Sequence, residues 1–330
     1  MHPKTPSTFK VLFAGCLGSI VEWYNFTIFA YMATTITALF FPTMDETKGL
    51  VLSFLLFAVG FLARPIGSLF FGIMGDRIGR QRTLLISQAM MAVPILLTTL
   101  LPTYQSIGFS AAIFLALFRF LQGVSVGGEQ TTAIVYLGEM APVKRRGLWV
   151  SVVPAATALG IALGALVVYS LSSLMSEAHF LEWGWRVCFF SGFLLALYGI
   201  WYRWSLPETE SFKVAKKEHP KKRINEDMLK QIVYVIGFIV AQAYFYQLLY
   251  IWMPNVLNLV LGQSVSSPLL LNIIAMLVFA AFMFAGGYWI DQVGRRKVLV
   301  ATSIIMLLLP SLYFANIAHL SLVLIVIGLM

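Results

Sequence analysis

Glu22 in SIVEWYNF, Arg64 in FLARPIG, and Arg119 with Glu129 in FRFLQGVSVGGEQ are ionisable residues set inside otherwise apolar stretches of this 330-residue chain. An ionised side chain deep in an apolar slab costs about 2.5 to 3.5 kcal/mol on insertion scales, so such residues face partners or a wet cavity. Glu22 stands about 18 Å along a helix from the start of its run. Gly15, Gly18, Glu22, Asn25 and Phe29 recur at steps of three or four, which puts the carboxylate and the amide on one narrow face. A buried carboxyl group is suited to gaining and losing a proton near neutrality, and a structural ion pair is the plainer role. Arg64 lies about 18 Å before Asp76 on the same measure. It could be a counter-charge or a clamp on a solute carboxylate, and the Pro65 that follows it predicts a local kink. Arg119, Gln122, Val126, Glu129, Ala133 and Tyr136 form one stripe at helical spacing. Arg119 and Glu129 are about 15 Å apart along the axis, so each needs a partner from elsewhere. Gly123 and Gly127 beside them form a GxxxG that lets another helix approach closely.

The side chains around these charges suggest what is carried. Trp23 and Tyr24 flank Glu22, while Gln242, Tyr246, Tyr250 and Met253 share one helical face further on. Aromatic faces attract quaternary ammonium groups and arginines pair with carboxylates. The expected solute-binding set is therefore Trp23, Tyr24, Asn25, Arg64, Gln122, Gln242, Tyr246 and Tyr250, with a small carboxylate-bearing or zwitterionic metabolite as solute. Ordinary packing is the competing reading of the aromatic residues.

These residues need elements that hold charge inside apolar surroundings. Hydrophobic residues make up 59% of the chain and charged residues 11%, against roughly 25% charged in soluble domains. The apolar residues come in blocks long enough to cross a bilayer, for which about 20 residues suffice. Unbroken runs rather than period-two alternation select helices over a barrel. The expected fold is an all-α integral membrane protein with about ten transmembrane helices, near 10–40, 50–74, 83–101, 107–138, 148–174, 185–206, 231–261, 268–290, 297–318 and from 320. The last run stops without a polar flank, which reads as a C-terminal truncation.

The formal charge of +9 is distributed by topology rather than gathered for nucleic acid. Of 23 Lys and Arg, 19 fall at the amino terminus or near the even-numbered loops, Arg203 among them, whereas Lys48 and Arg186 lie on the opposite side. The positive-inside rule then puts the amino terminus in the cytoplasm. The first span carries Glu22 and Asn25 and is too long for a signal peptide. Cys16 and Cys188 lack ligand spacing, so neither metal nor cofactor is expected. GxxxxGK[ST] and HExxH are absent and the four histidines fall at the terminus, in loops or near a span end, which argues against an enzyme.

GDRIGRQR and DQVGRRK form a repeat. Gly72, Asp76, Gly79 and Arg80 match Gly287, Asp291, Gly294 and Arg295 at a fixed displacement of six helices. A duplicated unit of this kind is a mark of secondary transporters, with the solute site between the halves. The expected organisation is a six-helix half over 1–206, a cytoplasmic linker over 207–230 and an incomplete second half over 231–330. The linker's Lys and Arg would be solvated, with attraction to anionic lipid as the alternative.

Longer motifs carry a resemblance. RPIGSLFFGIMGDRIGRQR resembles motif A of the major facilitator superfamily, and FRFLQGVSVGGEQTTAIVYLGEMAPVKRRG resembles the fourth-helix signature of its metabolite:proton symporter branch. VEWYNF and WGWR look like the same branch, whose members include transporters for proline and betaine, 2-oxoglutarate, citrate and shikimate. The resemblance implies import by proton symport and alternating access, in a monomer of the bacterial inner membrane. Export of amphipathic compounds, or a non-transporting fragment, are the alternatives. It implies proton coupling through Glu22, Arg119 and Glu129, and a cytoplasmic gate of Gly72, Asp76, Arg77, Gly79, Arg80, Glu139, Arg146, Asp291, Gly294 and Arg295, with Asp76 meeting a span beyond this chain. The branch commonly has aspartate at the position of Asn25, and an amide cannot titrate.

Overall fold

The computed structural model describes residues 7–218, 227, 229–234, 236–237 and 268–316, and every regular element among them is helical. Helix α1 (Thr8–Tyr31) begins where the Ser7 hydroxyl accepts a hydrogen bond from Lys10 N, and Met32 separates it from α2 (Ala33–Phe40). Helices α3 (Glu46–Leu62) and α4 (Arg64–Ile78) form one crossing that bends at Ala63. Pro65 brings the expected kink here, because it has no N–H to donate to the Phe61 carbonyl one turn earlier.

Helix α5 (Arg80–Leu100) follows Gly79 and leads through α6 (Tyr104–Ile107) to α7 (Ser110–Met140). A short turn opens α8 (Arg146–Leu174); α9 (Glu177–His179) then runs through one π turn into α10 (Trp185–Arg203), and α11 (Glu210–Glu218) comes after it. Helices α12 (Pro268–Val293) and α13 (Arg295–Asn316) complete the described chain.

Seven helical stretches among the described residues are long and apolar enough to cross a membrane: Thr8–Tyr31, Thr47–Ile78, Arg80–Leu100, Ser110–Met140, Val143–Leu174, Glu177–Arg203 and Ile273–Val293. They coincide with the first six expected spans and the eighth, while α13 lies at the ninth. The seventh and tenth fall largely or wholly outside the described residues.

Both islands turn where their glycines allow it. Gly79 has φ +107° and Gly294 φ +95°, a region that side chains with a Cβ rarely occupy. Between helices, small residues set the spacing, since lipid gives no hydrophobic drive for helices to associate. A Cβ on Gly123 would meet the Gly60 carbonyl and one on Gly127 the Arg64 carbonyl, so α7 touches the backbone of the α3–α4 crossing, as the GxxxG predicted. The Ser68 hydroxyl donates to Gly127 O at 2.9 Å across that contact. The outer faces of α3, α4 and α10 expose Phe54, Leu62, Leu69, Phe70 and Trp201, a surface suited to lipid. Helix α1 is the most enclosed crossing, packed against α7, α8 and α10, and it brings Glu22 into the interior.

Candidate functional site

Glu22 and Arg64 find each other. Glu22 Oε1 lies 3.3 Å from Arg64 Nη2, with the carboxylate fully buried and the guanidinium 19% exposed. The kink at Ala63 starts α4 at Arg64 and aims its side chain across to α1. The Arg64 guanidinium carbon stands 4.2 Å from the Phe61 ring centre, 4.8 Å from Phe26 and 5.2 Å from Trp23. Arg119 meets the same Phe26 ring at 4.4 Å and Phe29 at 4.2 Å. Its Nη1 donates to Gln122 Oε1 at 2.8 Å, and no carboxylate lies within ion-pair distance of it among the described residues. One acid and two guanidinium groups therefore share an aromatic cluster built by α1, α3, α4 and α7.

Glu129 is engaged elsewhere. Its Oε1 lies 2.6 Å from Arg203 Nη1, with both side chains fully buried, and its Oε2 accepts from the Ser87 hydroxyl at 2.7 Å. Arg203 also donates to the Ala14 carbonyl at 2.7 Å and to Gln88 Oε1 at 2.8 Å, and Gln88 in turn donates to the Ala196 carbonyl at 3.1 Å. This network links α1, α5, α7 and α10. Gly18 makes room for it, since a Cβ there would land on the Glu129 carboxylate.

A third cluster lies at the end of the bundle marked by Gly79. Arg80 pairs with Asp76 at 2.7 Å and with Glu139 at 3.4 Å. Glu139 accepts from the Thr209 hydroxyl at 2.5 Å. Glu208 accepts from the backbone N–H of Arg80 at 3.0 Å and of Gln81 at 3.2 Å, capping the first turn of α5. In the second island, Asp291 accepts from Gly147 N at 2.7 Å and Leu148 N at 2.9 Å, capping α8 from α12. Among the described residues no group of His, Cys, Asp and Glu could hold a metal ion.

Comparison with known proteins places this arrangement. Residues 11–224 match the family model described as sugar (and other) transporter. The chain belongs to that family, within the major facilitator superfamily. It is 33% identical over 323 residues to the proline/betaine transporter of Escherichia coli (strain K12), covering 93% of this chain and 65% of that protein. It is 33% identical over 319 residues to the citrate-proton symporter of Salmonella typhi, covering 93% and 73%. The chain thus spans about two thirds of the length of such relatives. The proton:xylose symporter XylE, bound to 6-bromo-6-deoxy-D-glucose, shares its fold with a TM-score of 0.70 at 19% identity, over 86% of this chain and 69% of that one.

Within this family member, the structure groups the expected residues unevenly. Glu22, Trp23, Arg64, Arg119 and Gln122 belong to the aromatic cluster or adjoin it. Tyr24 turns the other way, its hydroxyl 2.6 Å from Ser191 Oγ and 3.3 Å from Cys188 O. Asn25 donates to Val21 O at 2.8 Å and lies against Gly192 of α10. Gln242, Tyr246 and Tyr250 lie outside the described residues. In the gate set, Arg77, Arg146 and Arg295 are exposed, and none takes part in the hydrogen bonds around Glu139, Glu208 and Asp291.

Arg203 closes α10 beside the sixth loop, where the charge pattern counts it, but its side chain is fully buried and paired with Glu129. An arginine at a helix end can send its long stem in either direction, and here it turns inward towards a carboxylate that otherwise has only a hydroxyl. Glu208 and Thr209 were assigned to a solvated linker; Thr209 is instead buried, and both dock under α5 and α7. The signal available for them was their position directly after the last apolar residue of the sixth span.

Proposed function

We propose that this chain is the membrane-embedded part of a secondary transporter of the bacterial inner membrane that imports a small carboxylate-bearing or zwitterionic solute with protons. The observation that carries the proposal is the buried Glu22–Arg64 pair, at 3.3 Å, beside a second guanidinium that has no acid partner among the described residues. When Glu22 is ionised, it offsets the charge of Arg64. When Glu22 takes up a proton, Arg64 loses its counter-charge and becomes available to a solute carboxylate, so proton and solute bind together. Release to the cytoplasm reverses both steps. Glu22 is the proton carrier in this scheme, Arg64 is the group that takes the solute carboxylate, and Glu129 holds Arg203.

The names of the relatives above, a proline/betaine transporter and a citrate-proton symporter, support the solute class. Two six-helix halves, ten spans within this chain, a cytoplasmic amino terminus and a monomer complete the proposal. In this reading the clusters around Gly79 and Asp291 form the cytoplasmic gate, and the bonds from Gly147 and Leu148 to Asp291 support it. Phe26, Trp23 and Phe61 offer the faces that a quaternary ammonium group would use.

The test is uptake by the full-length protein in liposomes, with labelled betaine, proline, citrate and 2-oxoglutarate in turn and an imposed inward proton gradient. Accumulation of one of them above equilibrium, abolished by a protonophore, is the expected result. Equal uptake with and without the gradient for every solute taken up, or no uptake of any, overturns the proposal.

A further inference from the structure

We infer that Arg119 holds a small monovalent inorganic anion of chloride size, at a site distinct from the Glu22–Arg64 pair. The starting point is charge. The side chains buried within the described spans include three guanidinium groups, Arg64, Arg119 and Arg203, and two carboxylates, Glu22 and Glu129. Both carboxylates are engaged, one with Arg64 and one with Arg203. Residues 231–290 and 298–330 contain no Asp or Glu, so the later spans of this chain bring no acid to Arg119.

Geometry points the same way. Arg119 is 1% exposed, and its Nε and Nη2 have no hydrogen-bond acceptor among the described residues. Its Nη1 is taken by Gln122 Oε1, an orientation that turns Gln122 Nε2 outward as a further donor, also without an acceptor among the described residues. Three donors within one turn of α7, on a buried side chain whose charge no described carboxylate offsets, favour an anion over a cation. The rings of Phe26, Phe29 and Phe57, at 4.4, 4.2 and 5.8 Å from the guanidinium carbon, help to screen the charge from water. Ring faces attract a cation but do not neutralise it. A halide would offset that charge and accept from these donors at once, and the proposal neither needs the solute nor depends on proton coupling.

The test is thermal unfolding of the full-length protein at constant ionic strength, with gluconate replaced stepwise by chloride. A saturable rise in Tm is expected, absent in Arg119→Gln and partly kept in Arg119→Lys, which retains the charge. The same Tm in both salts, or a saturable rise that survives in Arg119→Gln, overturns the inference. Should Arg119→Gln fail to fold, binding of radiolabelled chloride to the unaltered protein decides. One bound label per chain, displaced by bromide and not by gluconate, supports the site; no saturable binding overturns it. Because neither measurement uses a solute or a proton gradient, either can fail while the uptake experiment succeeds.

Discussion

Replacing Glu129 tests whether this carboxylate moves protons or holds the first half together. Its partner Arg203 is fully buried, 2.6 Å away, and after Glu129→Gln only neutral acceptors would remain: the Ala14 carbonyl, Gln88 Oε1 and the amide oxygen of the new Gln. Removing one member of a buried pair leaves an uncompensated charge and costs about 3–5 kcal/mol, whereas replacing both with apolar residues of similar volume is often near neutral. Glu129→Gln should therefore lower unfolding free energy by about 3–5 kcal/mol, and Glu129→Met combined with Arg203→Met should recover most of that. The loss is read from chemical denaturation of the full-length protein followed by tryptophan fluorescence, as a double-mutant cycle. Proton-driven uptake by the folded double variant supplies the second readout. A folded double variant that takes up solute only down its gradient would show that Glu129 carries protons. A single variant within about 1 kcal/mol of the parent would refute the assigned energetics.

Four further outcomes follow from the geometry. Glu22→Gln should abolish accumulation driven by a proton gradient while solute exchange across liposomes persists, because Arg64 then stays available without a proton; retained gradient-driven accumulation contradicts the coupling scheme. Asp291→Ala removes two bonds to the first turn of α8, worth about 1.5–3 kcal/mol each for an ionised acceptor, and should raise thiol labelling of a cysteine placed at Ser151. Glu208→Ala should destabilise the protein by about 0.5–2 kcal/mol, the range for loss of a helix cap, measured by denaturation. Gly67→Val would drive a Cβ onto the Val124 carbonyl and should lower Tm more than Gly72→Ala, where a Cβ meets open space.

Much of the fold was legible because a bilayer leaves few solutions for an apolar run, and the six spans of the first half lie where the runs do. Gly79 and Gly294 were legible for a different reason: a repeated glycine at the end of a repeated helix signals a required positive φ, and both have it. The stripe from Arg119 to Tyr136 is buried throughout, as its period implied. Pairing was harder to read. Spacing says which residues share a face of one helix, but it cannot say that Arg64 reaches Glu22, that Arg203 reaches Glu129, or that Arg119 reaches neither. Tyr24 and Asn25 show the same limit, since neighbours of Glu22 in sequence turn towards α10 instead of Arg64. Glu208 was obscured by its polar context, which looks the same in a docked segment and in a free linker.

Arg203 also ties the interior of the bundle to its end at Gly79. Its side chain is bound to α1, α5 and α7, and its carbonyl accepts from Gln81 Nε2 at 3.5 Å. Three residues later Leu206 is buried, the Tyr136 hydroxyl donates to Pro207 O at 3.0 Å, and Glu208 caps α5. Within six residues the chain thus ties the interior ion pair to the turn at Gly79, and each tie lies inside the first half. The α8–α12 contact combines the two bonds accepted by Asp291 and the close approach of Gly147 to Gly287 with apolar packing of Ala155, Ala158, Ile161 and Ala162 against Met276 and Ala280. Separating α12 from α8 would therefore expose an apolar face as well as break the bonds of Asp291, whereas the ties around Arg203 lie among α1, α5, α7 and α10.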